Sequence, residues 1–191
     1  GMDYPVAFDI APDGRFFCTL KGNNQTPAGP GTAKVEIYSA SGALIGTFCD
    51  LSDSVNADFE RGLLGIALDP NFSTNHYVYM YYNHIYNTDE RIRIVRFTEV
   101  NNVGTAPTII FDLNVANNIP GNHVGGNIHF MHNDTTHLFL TIGDLAYQQT
   151  NPTLNYANKL TNPYGKHLRI NKDGTVPLNN PFYDDGNPLT G

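Results

Sequence analysis

Short runs of alternating apolar and polar residues, separated by turn signals, fill the chain from residue 6 to residue 171. Alternation with a period of two marks half-buried strands, and the 3.6-residue period of helices is nearly absent. The first unit has strands over 6–11 and 15–20 around a turn at Pro12-Asp-Gly. A loop rich in Gly, Asn and Pro follows over 22–32, then strands over 34–39 and 43–48 about a turn at Ser41-Gly. The second unit has strands over 63–68 and 77–82 around Asp69-Pro-Asn, then a loop, then strands over 91–97 and 108–113. The third runs over 126–130, turns at Asn133-Asp and returns over 138–142. After a long loop over about 145–163 it closes with 167–171 and the turn Lys172-Asp-Gly.

The first strands of the three units centre on Ile10, Ile66 and Ile128, spacings of 56 and 62 residues. A four-stranded unit repeating at this period predicts the antiparallel blades of an all-β propeller. One small sheet cannot bury both of its faces, so neighbouring sheets must stack radially. The blades are expected over 5–50, 60–114 and 122–182. Propellers have about four to eight blades, so three are expected to form part of a larger ring or to complete one by pairing with a second copy. A β-sandwich or prism is the alternative.

Composition supports short strands and turns: 11 Tyr and 11 Phe stand beside 18 Gly and 12 Pro, with no Trp. A length of 191 residues allows one domain or a large fragment of one. A net charge of −7 with only 15% charged residues argues against nucleic acid and against an anionic membrane face. It leaves room for an anionic ligand held by a few local cations. Without a run of eighteen apolar residues, no membrane span is expected. Gly1 ahead of Met2 reads as the remnant of a cleaved tag, so location is not legible from the N-terminus. Cys18 and Cys49 lie on predicted strands and read as free buried thiols, with a bridge as the alternative. The large apolar faces of an open blade array predict self-association.

Candidate chemistry concentrates in two segments, His123-Val-Gly-Gly-Asn-Ile-His-Phe and Leu138-Phe-Leu-Thr-Ile-Gly-Asp. A histidine at the mouth of one strand and Asp144 at the end of the next can meet as a general base and its orienting carboxylate. The plainer readings are a rim histidine bonded to backbone and an aspartate that only bonds its own turn. The two glycines after His123 let another backbone or a flat ligand approach closely. Glu60 is either a ligand contact or a loop ion-pair partner of Arg61. His129, His132 and His137 surround one hairpin and read as solvated turn residues rather than a zinc site. Asp184-Asp-Gly-Asn reads as a turn, since it lacks the longer oxygen-ligand series of a calcium loop. Lys166 and Arg169 fall on opposite faces of one strand and read as structural pairing partners. The tyrosine-rich stripe over 77–82 reads as blade-to-blade packing.

Five segments together carry a family resemblance. They are Glu60-Arg-Gly-Leu-Leu-Gly-Ile-Ala-Leu-Asp-Pro-Asn-Phe, His123-Val-Gly-Gly, Thr141-Ile-Gly-Asp, Gly165-Lys-His-Leu-Arg-Ile-Asn-Lys-Asp-Gly-Thr-Val-Pro and Asn180-Pro-Phe. In this order they resemble the soluble quinoprotein glucose dehydrogenases and aldose sugar dehydrogenases, the glucose/sorbosone dehydrogenase family. The resemblance implies a six-bladed propeller, of which about three blades are present here. It also implies pyrroloquinoline quinone (PQQ) near the central axis, calcium, and oxidation of the C1 hydroxyl of aldoses or related alcohols. On this chain the implied base is His123, held by Asp144, with Glu60 and Asn127 at the cofactor. The family usually has an arginine where Asn127 stands, and its members continue with a Gly-x-Arg-Asn-Pro segment carrying a cofactor-binding arginine. The chain is therefore expected to hold the N-terminal half of a site, with most calcium ligands beyond residue 191. A periplasmic or secreted location is implied as well. The alternative within this architecture is a non-catalytic binding module for a protein or carbohydrate.

Overall fold

The structure, a computed structural model, describes residues 2–115, 121–146 and 155–183. It contains three antiparallel sheets in chain order. Sheet one is β1 (Pro5–Ile10), β2 (Phe16–Leu20), β3 (Lys34–Tyr38) and β4 (Leu44–Asp50). Sheet two is β5 (Leu63–Leu68), β6 (Tyr77–Tyr86), β7 (Asp89–Val100) and β8 (Val103–Val115). Sheet three has three strands among the described residues, β9 (Ile128–Phe130), β10 (His137–Ile142) and β11 (Lys166–Asn171). Each sheet is a simple meander. The strand that opens each unit lies innermost, β1 against β5 and β5 against β9, while the outer strands meet as β4 against β8. This is the radial stacking of a β-propeller.

Two seams form the core. Phe17, Val35, Ile37 and Phe48 of sheet one pack on Ile66, Val78, Met80 and Phe97 of sheet two. Tyr79, Tyr81, Ile92 and Ile94 on the other face of sheet two pack on Ile128, Leu138, Leu140 and Ile170 of sheet three. The tyrosine-rich strand β6 feeds both seams by strict alternation, with Met80 going one way and Tyr79 and Tyr81 the other. Polar pins cross the seams too. Asp9 of β1 accepts from the Leu68 N–H at 2.8 Å. Lys172, just past β11, reaches the fully buried Asp69 carboxylate at 3.0 Å.

The centre of sheet two departs from expectation. The segment predicted as a loop after residue 82 is strand, and β6 and β7 pair without interruption from Tyr77↔Thr98 to Tyr86↔Asp89. Asn87, in the left-handed region at φ 55°, makes the tight turn between them. The ladder continues because Ile85 and Ile92 are still buried and because Arg93 and Asp112 pair at 3.0 Å on the face that carries Tyr82. Asn101 and Asn102, both at positive φ, likewise let β8 begin at Val103. The cysteines are unbridged. Cys18 lies opposite Glu36 and Cys49 opposite Val35, so alternation along β3 sends the two thiols to opposite faces of sheet one.

Candidate active site

The site lies where the innermost strands converge. A groove of about 390 Å³ is bounded by β1 at Val6, Ala7 and Phe8, by Glu60 and the start of β5 at Leu64, Gly65 and Ile66, and by residues 124–128 leading into β9. His123 is one residue before that last wall.

Its conformation is set from several directions. Its backbone is left-handed, with φ 54°, which costs about 1–2 kcal/mol in a residue bearing a Cβ. The N–H donates to Glu60 Oε2 at 2.6 Å. The C=O accepts from the Leu145 N–H at 3.1 Å. The ring Nδ1 lies 2.8 Å from Asp144 Oδ1. Below the loop, the buried Tyr81 hydroxyl donates to the carbonyl of Val124 at 2.7 Å. Burial pushes the Tyr81 phenol well above its ordinary range, so it stays a donor. The His123 side chain remains 44% exposed and that of Asp144 only 18%.

Asp144 does both things that its sequence context allows. Its Oδ1 accepts from the Ala146 N–H at 3.0 Å, a local turn bond, and also meets His123. Burial works against the carboxylate, but the Ala146 N–H and His123 outweigh it and hold its pKa below the usual carboxylate value. A carboxylate can only accept, so His123 Nδ1 is the donor in this pair, and in the neutral ring the lone pair lies on Nε2.

The glycines of the motifs serve backbone contact. A Cβ on Gly143 would lie 1.6 Å from the His123 carbonyl oxygen, and one on Gly125 would lie 2.4 Å from that of Thr141. A Cβ on Gly65 would lie 2.1 Å from the Gly126 carbonyl oxygen. The Gly126 N–H bonds Thr141 O at 3.2 Å and the Thr141 N–H bonds Asn127 O at 3.0 Å, so the ladder runs on from β9 toward the histidine. Of the two glycines after His123, Gly125 thus admits the backbone of the next strand and Gly126 the side chain of Leu64.

The remaining candidates disperse. Glu60 does not pair with Arg61, which instead bonds Glu90 at 3.3 Å. Asn127 Oδ1 lies 3.1 Å from His129 Nδ1. His129 stacks on Phe139 at 5.9 Å, and His137 pairs with Asp134 at 2.7 Å. Lys166 bonds the carbonyls of Tyr156, Ala157 and Tyr164, and Arg169 bonds Asn179 and Asn180. The segment 184–187 lies outside the described residues. Among the described residues, no three side chains of the His, Cys, Asp and Glu types converge as metal ligands, and no helix is long and apolar enough to cross a membrane. Sequence reasoning missed Tyr81 as the prop under the site, although its place in the tyrosine stripe was the available signal. It also missed Gly143, whose role depends on a contact twenty residues away.

Three antiparallel sheets stacked radially, with their innermost strands around an axial groove, define a β-propeller. The family model for glucose/sorbosone dehydrogenases matches residues 2–190, and the chain belongs to that family. Among solved structures it resembles a glucose dehydrogenase, with TM-score 0.76 and 20% identity, covering 97% of this chain and 49% of that one. It also resembles the soluble aldose sugar dehydrogenase of Escherichia coli in its apo-form (TM-score 0.75, 21% identity, 96% and 48% coverage). A third is the PQQ-bound aldose sugar dehydrogenase of Streptomyces coelicolor (TM-score 0.71, 24% identity, 95% and 48% coverage). At these identities the likeness concerns the fold. An uncharacterized protein of Synechocystis is 28% identical over 194 residues, covering 97% of this chain and 44% of the relative. The chain therefore spans about half the length of the proteins it matches.

Proposed function

We propose that this chain carries the base-bearing half of a PQQ-dependent dehydrogenase that oxidises the C1 hydroxyl of aldose sugars or related alcohols. The observation that carries the reading is the His123–Asp144 pair at 2.8 Å beside the axial groove. Asp144 holds the Nδ1 proton, and His123 Nε2 accepts the proton of the substrate hydroxyl. Glu60 and the glycine-lined wall set the imidazole in place before substrate arrives, which is where positioned bases gain their advantage.

The residues present fit one side of a planar quinone. Leu64, Ile66, Val124 and Ile128 offer apolar surface, and Gly65, Gly125 and Gly126 expose flat backbone. When bound, PQQ supplies the two-electron acceptor for the alcohol. The described lining of the groove holds the Glu60 carboxylate and no cation, so cations for the cofactor's own carboxylates have to come from elsewhere. That same lack of cations favours a second reading, a non-catalytic module recognising a protein or carbohydrate. A periplasmic or secreted location accompanies the enzymatic reading.

The test supplies PQQ, calcium, an aldose and an artificial electron acceptor to the protein in its full natural length. Turnover that falls at least 100-fold in His123→Ala supports the proposal. Absent turnover, or turnover untouched by the substitution, rejects it. Calorimetric titration with PQQ separates the two readings, since only the first requires binding.

A further inference from the structure

We infer that Glu60 is the positioning residue of the site, its carboxylate fixing the His123 backbone so that the imidazole meets Asp144. This deepens the dehydrogenase reading and rests on it for its functional meaning, but the clamp itself is a claim about geometry.

The argument starts from the backbone. A histidine at φ 54° is in a region that L-residues avoid unless their surroundings hold them there. The first ladder bond of this segment is made by the Gly126 N–H, three residues later. His123 thus lies outside the sheet, and the β9–β10 pairing does not dictate its conformation. What fixes it comes from two directions. Sheet three supplies Leu145 to the carbonyl and Asp144 to the ring. Sheet two's lead-in supplies Glu60 to the N–H, from 63 residues away in sequence.

The Glu60 loop is itself anchored to the same segment. Its own N–H donates to the Gly121 carbonyl at 3.2 Å. Together with the side-chain bond to His123, this makes a two-point junction between the loop ahead of β5 and the loop ahead of β9. The carboxylate is not taken by its neighbour, because Arg61 turns to Glu90. A hydrogen bond from an amide to a carboxylate is stronger than one between neutral groups. With N–H, C=O and Nδ1 all engaged, Nε2 is the polar atom of His123 that has no partner among the described residues.

The experiment reads the backbone and the ring directly. In the ¹⁵N-labelled chain, hydrogen exchange of the His123 amide and the imidazole ¹⁵N signals are compared among wild type, Glu60→Ala and Glu60→Gln. In Glu60→Ala the His123 amide is expected to exchange about 10- to 100-fold faster. Its imidazole signals are expected to move toward the average of the two tautomers, while amides of β10 keep their protection within twofold. Glu60→Gln retains an acceptor oxygen and is expected to restore both readouts. Wild-type behaviour of His123 in Glu60→Ala overturns the inference, and so does a Glu60→Gln protein that matches Glu60→Ala. If Glu60→Ala fails to fold, Glu60→Asp carries the test: it keeps the charge but withdraws the carboxylate by one methylene. Unchanged His123 exchange there also overturns the inference. These readouts need no turnover. An unaltered activity in His123→Ala would remove the dehydrogenase reading and leave the clamp standing.

Discussion

Replacing Gly143 by alanine tests the backbone-on-backbone construction of the site. Gly143 does not have the left-handed φ of Gly125 and Gly126, so its backbone accepts alanine without conformational strain. The obstacle is space alone. The new methyl would lie 1.6 Å from the carbonyl oxygen of His123, 2.4 Å from its carbonyl carbon and 3.1 Å from the Gly125 nitrogen. No flexible side chain can yield, because all three atoms are backbone. The two segments must part by about 1.4 Å before the shortest contact reaches even 3.0 Å. Asp144 follows Gly143 directly, so the shift acts on the 2.8 Å bond between His123 and Asp144. Overpacking of this kind costs about 1–3 kcal/mol. At about 2–4 °C per kcal/mol for a chain of this size, the thermal midpoint should fall by about 2–12 °C. On the proposed dehydrogenase reading, a displacement near 1 Å at the base would cost about 100-fold in turnover. Differential scanning calorimetry and the His123 imidazole ¹⁵N signals measure the two consequences. A Gly143→Ala protein with an unchanged midpoint and unchanged imidazole signals would show that the contact is not as tight as argued.

Three further outcomes follow from other parts of the fold. Gly46→Ala in β4 meets no atom within 4 Å, so it should be neutral or stabilise by up to about 1 kcal/mol through the unfolded chain, and a clear loss in urea unfolding would contradict this. Lys172→Ala leaves the fully buried Asp69 carboxylate without its cation and should cost about 3 kcal/mol, the low end for breaking a buried pair. An unfolding free energy within 1 kcal/mol of wild type would count against that reasoning. Acid should destabilise the chain in two stages. Burial pushes the His84 pKa below its ordinary 6.5, so the unfolded chain takes up that proton first and stability begins to fall below about pH 6.5. Asp144 and Glu99 have pKa values held below 3.8 and 4.5, because hydrogen bonds from Ala146 and His123, and from Asn102 and Arg15, outweigh burial. Their contribution is complete above those values and is lost as pH falls through the lower folded ones. A thermal midpoint that stays flat from pH 7 to pH 3 would refute both stages.

The sheets were legible because alternation is a local signal. β10 alternates in burial, β2 and β5 are short apolar runs between turn residues, and the tyrosine stripe of β6 announced a strand buried on both faces. The extension of β6 and β7 past residue 82 was obscured by Asn83, His84, Asp89 and Glu90, polar residues that read as loop. Cross-strand partners decide that stretch, and Asp112 lies in a third strand. His123 and Asp144 were readable as a pair because one hairpin joins them. The partner of Glu60 was not, since residue type suggested its neighbour Arg61 and only the meeting of two sheets brings it to His123. The glycines announced close approach but not what approaches.

The wall beneath the histidine is made of main chain touching main chain at Gly65, Gly125, Gly126 and Gly143. At Gly65, Gly125 and Gly143 a new Cβ has to push backbone apart, so the groove can be reshaped cheaply only through the side chains that stand between them, Leu64, Ile66, Val124 and Ile128.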